Sequence, residues 1–172
     1  MQYQQDTYTK HYIVEALFRL IDENEYDKIT VSDIARKAGV GRATFYRYFK
    51  SKEDVFTYYF NKTAGEFRSS QRYFPRCKQD HIDIATTVFD MFKKNKDAFK
   101  LLKKARLEGF YLNYLNDMLS KSFSDSGIDN PYQPYIYAGM LFNVSMAWLE
   151  TDCATDSAEL ANLIIDSIYF KD

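Results

Sequence analysis

An all-α fold of about nine helices is what this chain predicts. Three observations predict it. Apolar residues recur at helical rather than alternating spacing along most of the 172 residues. Only three Pro and six Gly interrupt a chain with fifteen Tyr and fourteen Phe, a composition that suits helices better than turn-rich sheet. Between Thr30 and Lys52, TVSDIARKAGVGRATFYRYFKSK, two short helices flank a glycine turn, the layout of a helix-turn-helix. The length favours one domain or two closely packed ones, with enough chain for a real core.

Taken in order, Ile13, Ala16, Leu17, Leu20 and Ile21 make a first helix from about Thr9 to Asn24. Thr30 caps the second helix and Asp33 completes the capping pattern. Val31, Ile34, Ala35 and Ala38 form its inner face. Gly39 ends it, because the left-handed backbone needed there is cheap for glycine, and Val40 plugs the turn. The third helix runs from about Arg42 to Phe49, with Phe45 and Phe49 one turn apart and facing inward. Ser51 with Asp54 is a second capping pattern, so a fourth helix starts at Lys52 and reaches about Tyr73, where Pro75 closes it. Ile82, Ala85, Val88, Phe89 and Phe92 suggest a fifth helix, Asp97 to Lys104 a short sixth, and Leu107 to Phe123 a long seventh. The breaker-rich loop SDSGIDNPYQP follows. The eighth helix, about Tyr135 to Glu150, is apolar nearly all round. The ninth, about Asp156 to Tyr169, carries Leu160, Leu163, Ile164 and Ile168 on one stripe.

Charge is distributed unevenly along this scaffold. From Lys28 to Lys52 the basic residues are Lys28, Arg36, Lys37, Arg42, Arg47, Lys50 and Lys52, against the single acid Asp33. The preceding segment is acidic, and the whole chain is near neutral at −1. A basic patch on a helix-turn-helix points to DNA, because phosphate neutralisation supplies most of the affinity for nucleic acid. The run ITVSDIARKAGVGRATFYRYFKSKEDVF resembles the DNA-binding segment of the TetR/AcrR family of bacterial transcriptional regulators. The matching pattern is a Thr opening the second helix, an I-A-x-x-A-G-V core, then T-F-Y-x-Y-F-x-S-K-E-D. It covers about the first third of the chain, and Tyr48 stands where many relatives have His. The resemblance implies a helix-turn-helix DNA-binding domain at residues 1–52 and a helical ligand-binding and dimerisation domain at 53–172.

On the third helix Ala43, Thr44 and Arg47 point away from the core, with Tyr46 and Tyr48 on the flanks. Arg42, at the start of the reading helix, is the first candidate for a base contact, since a guanidinium reaches guanine O6 and N7 together. Arg47 is the second, or a phosphate contact. Ala43 is small enough to meet a thymine methyl. The resemblance puts Tyr46, Tyr48 and Lys52 on the DNA backbone. Thr30, at the start of the second helix, is expected there too.

For the remainder, Phe60, Phe67, Phe89, Phe92, Phe110, Tyr114, Met140 and Asn143 are candidates to line a pocket for a small apolar effector. Each also suits simple core packing. Asn143, amid GMLFNVSMAWL, needs a partner if buried. Phe142, Met146 and Leu149, with Leu160, Ile164 and Ile168, are the expected centre of a twofold dimer interface, with Trp148 near its edge. His11 and His81 read as surface, and Cys77 and Cys153 as free, partly buried thiols. No Gly-rich phosphate loop, nucleophile elbow or metal-ligand spacing occurs, so no catalytic residue, metal or cofactor is expected. No charged leader with an apolar run opens the sequence, and the most apolar stretch falls short of a bilayer span of about 20 residues. The expectation is a cytoplasmic, homodimeric regulator with no membrane partner: a ligand-responsive repressor on a palindromic operator. The alternative is an activator or chromosome-organising factor whose regulatory domain binds a protein.

Overall fold

The computed structural model describes residues 2–68, 77–124 and 130–168, with side chains described from residue 5 onward and not between 64 and 76. All regular structure among them is helical: α1 (Gln2–Glu23), a 3-10 turn (Tyr26–Lys28), α2 (Val31–Lys37), α3 (Arg42–Tyr48), α4 (Lys52–Arg68), α5 (Lys78–Lys94), α6 (Lys96–Lys104), α7 (Glu108–Ser124), α8 (Gln133–Glu150) and α9 (Ser157–Ile168). The expected end of α4 near Tyr73 and Pro75, and positions 125–129 of the breaker-rich loop, lie outside the described residues. α1 begins earlier than the expected Thr9. Its first turns, QYQQDTY, carry no apolar repeat, so periodicity could not reveal them.

The chain divides into two compact units, one of Met1–Thr63 with Leu101–Arg106, the other of Ala64–Lys100 with Leu107–Asp172. In the first, α1, α2, α3 and the start of α4 close around Ile13, Leu17, Ile21, Ile34, Phe45, Val55 and Phe56, all essentially inaccessible to solvent. Leu102 joins this core. Burying an aliphatic or aromatic side chain of this size contributes about 1.5–3 kcal/mol. Local signals shape the chain between them. Thr30 and Asp33 form a full capping box. Gly39 takes φ 69°, and the amide of Val40 reaches back to the Ala35 carbonyl at 2.9 Å.

In the second unit α9 packs along α5 and α8 along α7. Both pairs are antiparallel. Lys78 at the start of α5 meets Asp166 near the end of α9 at 2.6 Å, and the Phe123 and Tyr137 rings lie 5.6 Å apart. The centre is aromatic. Phe92 stacks on Phe99 at 4.1 Å, while Phe89 and Phe92 both contact Trp148. Trp148 is therefore 4% exposed inside its own unit, not at the edge of an outer face.

The corner after α8 turns through two consecutive non-glycine residues with left-handed backbone, Asp152 (φ 54°) and Cys153 (φ 58°). Such residues persist where their surroundings over-determine them. Here Lys96 and Lys100 of α6 hold the Asp152 carboxylate at 2.8 and 2.6 Å, and the Cys153 amide bonds the Trp148 carbonyl. Hydrogen bonds from Lys100 and Lys96 push the Asp152 carboxyl down to about 2. Cys153 is buried and Cys77 exposed, both free.

Candidate nucleic-acid interface

α3 presents its faces as the spacing of Phe45 and Phe49 requires. Both phenyl rings are buried, their centroids 5.8 Å apart. Arg42, Ala43, Tyr46 and Arg47 are exposed, and Thr44 and Tyr48 half-buried. Phe49 adopts extended backbone and ends the helix. A second cap follows at once. The Asp54 amide donates to Ser51 Oγ at 3.3 Å, and its carboxylate accepts from the Lys50 amide at 2.8 Å.

The seven basic residues of the patch separate into two groups once their partners are known. Lys28 pairs with Glu25 at 3.0 Å, Arg36 with Asp33 at 2.6 Å and Lys37 with Glu23 at 3.3 Å. The Lys52 ammonium donates to the carbonyls of Tyr26 (2.7 Å) and Ile29 (3.2 Å), 3.9 Å from the Tyr26 ring centroid. Arg42, Arg47 and Lys50 have no ion pair among the described residues. The uncompensated cation of the motif thus lies on α3 and at Lys50, two residues beyond it. A short exposed helix carrying unpaired guanidinium groups is suited to a groove lined by phosphates and base-edge acceptors.

The other expected backbone contacts are differently placed. Tyr46 is 51% exposed, with a hydroxyl that has no partner among the described residues. Thr30 Oγ1 donates to the Asp33 carboxylate at 2.6 Å while accepting from the Asp33 amide at 3.2 Å. These bonds from Thr30 hold the Asp33 carboxyl below its usual range. The Tyr48 hydroxyl donates to Asp6 Oδ1 of α1 at 2.5 Å, which raises the phenol above its ordinary value. Two features here escaped sequence reasoning. Asp6 lay ahead of the first periodic apolar residue. The Tyr26–Lys28 turn, whose buried Tyr26 hydroxyl donates to Glu53 at 2.7 Å, had no helical signal.

The expected effector residues are scattered. Phe60 is buried in the first unit beside Phe56 and Tyr59. The side chain of Phe67 lies outside the described ones. Phe89 and Phe92 are buried in the second unit, where Phe110, Tyr114 and Met140 are half-buried. Asn143 is exposed, its amide donating to the Gly139 carbonyl one turn back at 2.7 Å, so the partner it needed is local. Of the expected interface residues, Leu149 is buried within the chain, Phe142, Met146, Leu160 and Ile164 are half-buried, and Ile168 is exposed. His81, expected at the surface, is half-buried, with its ring nitrogens 3.1 Å from the Cys77 carbonyl and from the Tyr137 hydroxyl. His11 is exposed. No group of three or more His, Cys, Asp or Glu among the described residues could hold a metal ion, and no described helix is long and apolar enough to cross a membrane.

Residues 13–59 match the family model described as bacterial regulatory proteins, tetR family. Over 90% of its length the chain is 25% identical to 90% of a fatty acid metabolism regulator protein of Bacillus subtilis. The fold is shared with Lin0861 from Listeria innocua, at a TM-score of 0.80 and 18% identity over 96% of this chain and 91% of that one. It is shared also with the transcriptional regulator FadR from Bacillus subtilis in complex with stearoyl-CoA, at 0.54 and 23% identity over 91% and 95%. Residues 13–59 thus carry a helix-turn-helix that matches the tetR family of bacterial regulatory proteins, and the chain, like its relatives, is a DNA-binding transcriptional regulator and not an enzyme.

Proposed function

We propose that the chain is a ligand-responsive repressor that binds a palindromic operator as a homodimer, reading DNA through residues 1–52 and using residues 53–172 for regulation and dimerisation. The unpaired cation on α3 carries the reading. Arg42 contacts a base edge, Arg47 a base or phosphate, Ala43 and Thr44 the groove floor, and Tyr46, Tyr48, Lys52 and Thr30 the backbone. The effector has a long apolar portion, in keeping with the aromatic interior of the second unit and with the stearoyl-CoA bound by the Bacillus subtilis FadR. The buried Trp148 indole N–H supports a ligand bearing an acceptor, since it has no hydrogen-bond partner among the described residues and an indole can only donate. α4 follows α3 through Lys50 and Ser51, so a ligand that prefers one tilt of α4 shifts the population of reading-competent dimers.

Selection of random oligonucleotides by the purified chain tests this reading. An inverted repeat should emerge, its half-sites about one turn (roughly 34–36 Å) or a multiple apart, and stearoyl-CoA should release it. Enrichment of no sequence would overturn the DNA reading, and a complex indifferent to acyl chains of any length would overturn the effector.

On the selected site, Arg42→Ala should cost about 1–3 kcal/mol and relax base preference at one position of each half. Lys52→Ala should weaken all sequences alike and lower the melting temperature, because the Tyr26 and Ile29 carbonyls lose their donor. Anisotropy on specific and random duplexes distinguishes the two roles. Equal losses on both duplexes for both variants would contradict the division.

A further inference from the structure

α1 reaches the reading helix through a polar contact at Asp6. Asp6 Oδ1 accepts the Tyr48 hydroxyl proton at 2.5 Å. The Lys10 ammonium, 5.6 Å from the Tyr48 ring centroid, covers the arrangement from α1. A phenol has a single O–H to donate. A phosphate oxygen can only accept. While Asp6 holds that proton, Tyr48 has nothing to give a phosphate, and the Asp6 carboxylate itself repels one.

From this competition we infer that Asp6 is a positioning residue for DNA binding: it latches Tyr48 in a DNA-free arrangement that the backbone phosphate must displace. The inference rests on Tyr48 being a backbone contact. The latch keeps the flank of α3 ordered in the free protein and lowers affinity for every sequence, because the contact it opposes is to phosphate and not to a base. Acting on every sequence alike, it sets the absolute affinity and leaves the ratio between cognate and random DNA unchanged.

A double-mutant cycle with Asp6→Ala and Tyr48→Phe in the full-length protein tests it, read by anisotropy on a fluorescein-labelled duplex of random sequence. With Tyr48 present, Asp6→Ala should tighten binding about tenfold, a charge-assisted hydrogen bond no longer having to be broken. In the Tyr48→Phe background the same change should gain no more than about threefold, from lost charge repulsion alone, and that residual should shrink as salt is raised. The excess in the Tyr48 background should persist at high salt. A melting curve for each variant establishes that the unit is folded. Equal gains in both backgrounds overturn the latch. In the Asp6→Ala background, Tyr48→Phe should weaken binding. If it does not, Tyr48 makes no backbone contact, and the latch falls with that reading.

Discussion

Phe45→Ala should destabilise the N-terminal unit by about 3–5 kcal/mol and abolish DNA binding. The side chain is wholly inaccessible to solvent and packs against Phe49, with Tyr46 edge-on at 5.6 Å. Truncation therefore removes a whole ring from a site where the two-helix motif has few other apolar groups to collapse inward. A loss of this size is a large fraction of the total stability of a small unit. The control is the neighbouring position. Tyr46→Ala removes a ring that is half exposed and should change stability by less than about 1 kcal/mol while still weakening DNA binding. Urea unfolding followed by circular dichroism separates them. Comparable midpoints for the two variants would mean that α3 does not face the core through Phe45.

Ile136→Glu with Leu163→Glu should convert the proposed dimer to monomers that keep their helices and lose preference for an inverted repeat. Ile136 is 64% and Leu163 59% exposed on a single chain, so neither substitution places a carboxylate in that chain's own core. On α8, Ile136, Met140, Asn143 and Ala147 share one stripe at helical spacing. On α9, Leu163 and Ile168 are both exposed. Exposed apolar side chains on two helices suit a twofold four-helix contact, and four introduced charges at such a contact are prohibitive. Sedimentation velocity at micromolar concentration measures the outcome. A wild-type monomer, or a doubly substituted dimer, would refute this interface.

The part of the molecule legible in its sequence is the part governed by neighbours three and four residues apart. The Thr30–Asp33 capping box, the left-handed Gly39, the burial of Phe45 with Phe49 and the bounds of α2 and α3 all follow from local geometry. So does the exposure of Arg42 and Arg47 on the opposite face. The later helices were visible for the same reason, and the residues after α8 were not. There the chain turns left-handed at Asp152 and Cys153, with no glycine to announce it, because Lys96 and Lys100 hold the carboxylate from a distant helix.

Which charges are free is the matter that tertiary structure alone decided. In sequence the seven cations between Lys28 and Lys52 are equivalent. In the folded unit Lys37 is paired with Glu23 and Lys52 is bound to two carbonyls, while Arg42 and Lys50 remain without ion pairs among the described residues. Trp148 likewise reads as one apolar residue among many on α8, until α5 brings Phe89 and Phe92 against it. A helix wheel states which way a side chain points relative to its own axis. It carries no information about what another helix, dozens of residues away, places opposite. The Asp6–Tyr48 bond, joining positions 42 residues apart, depends on that second kind of information.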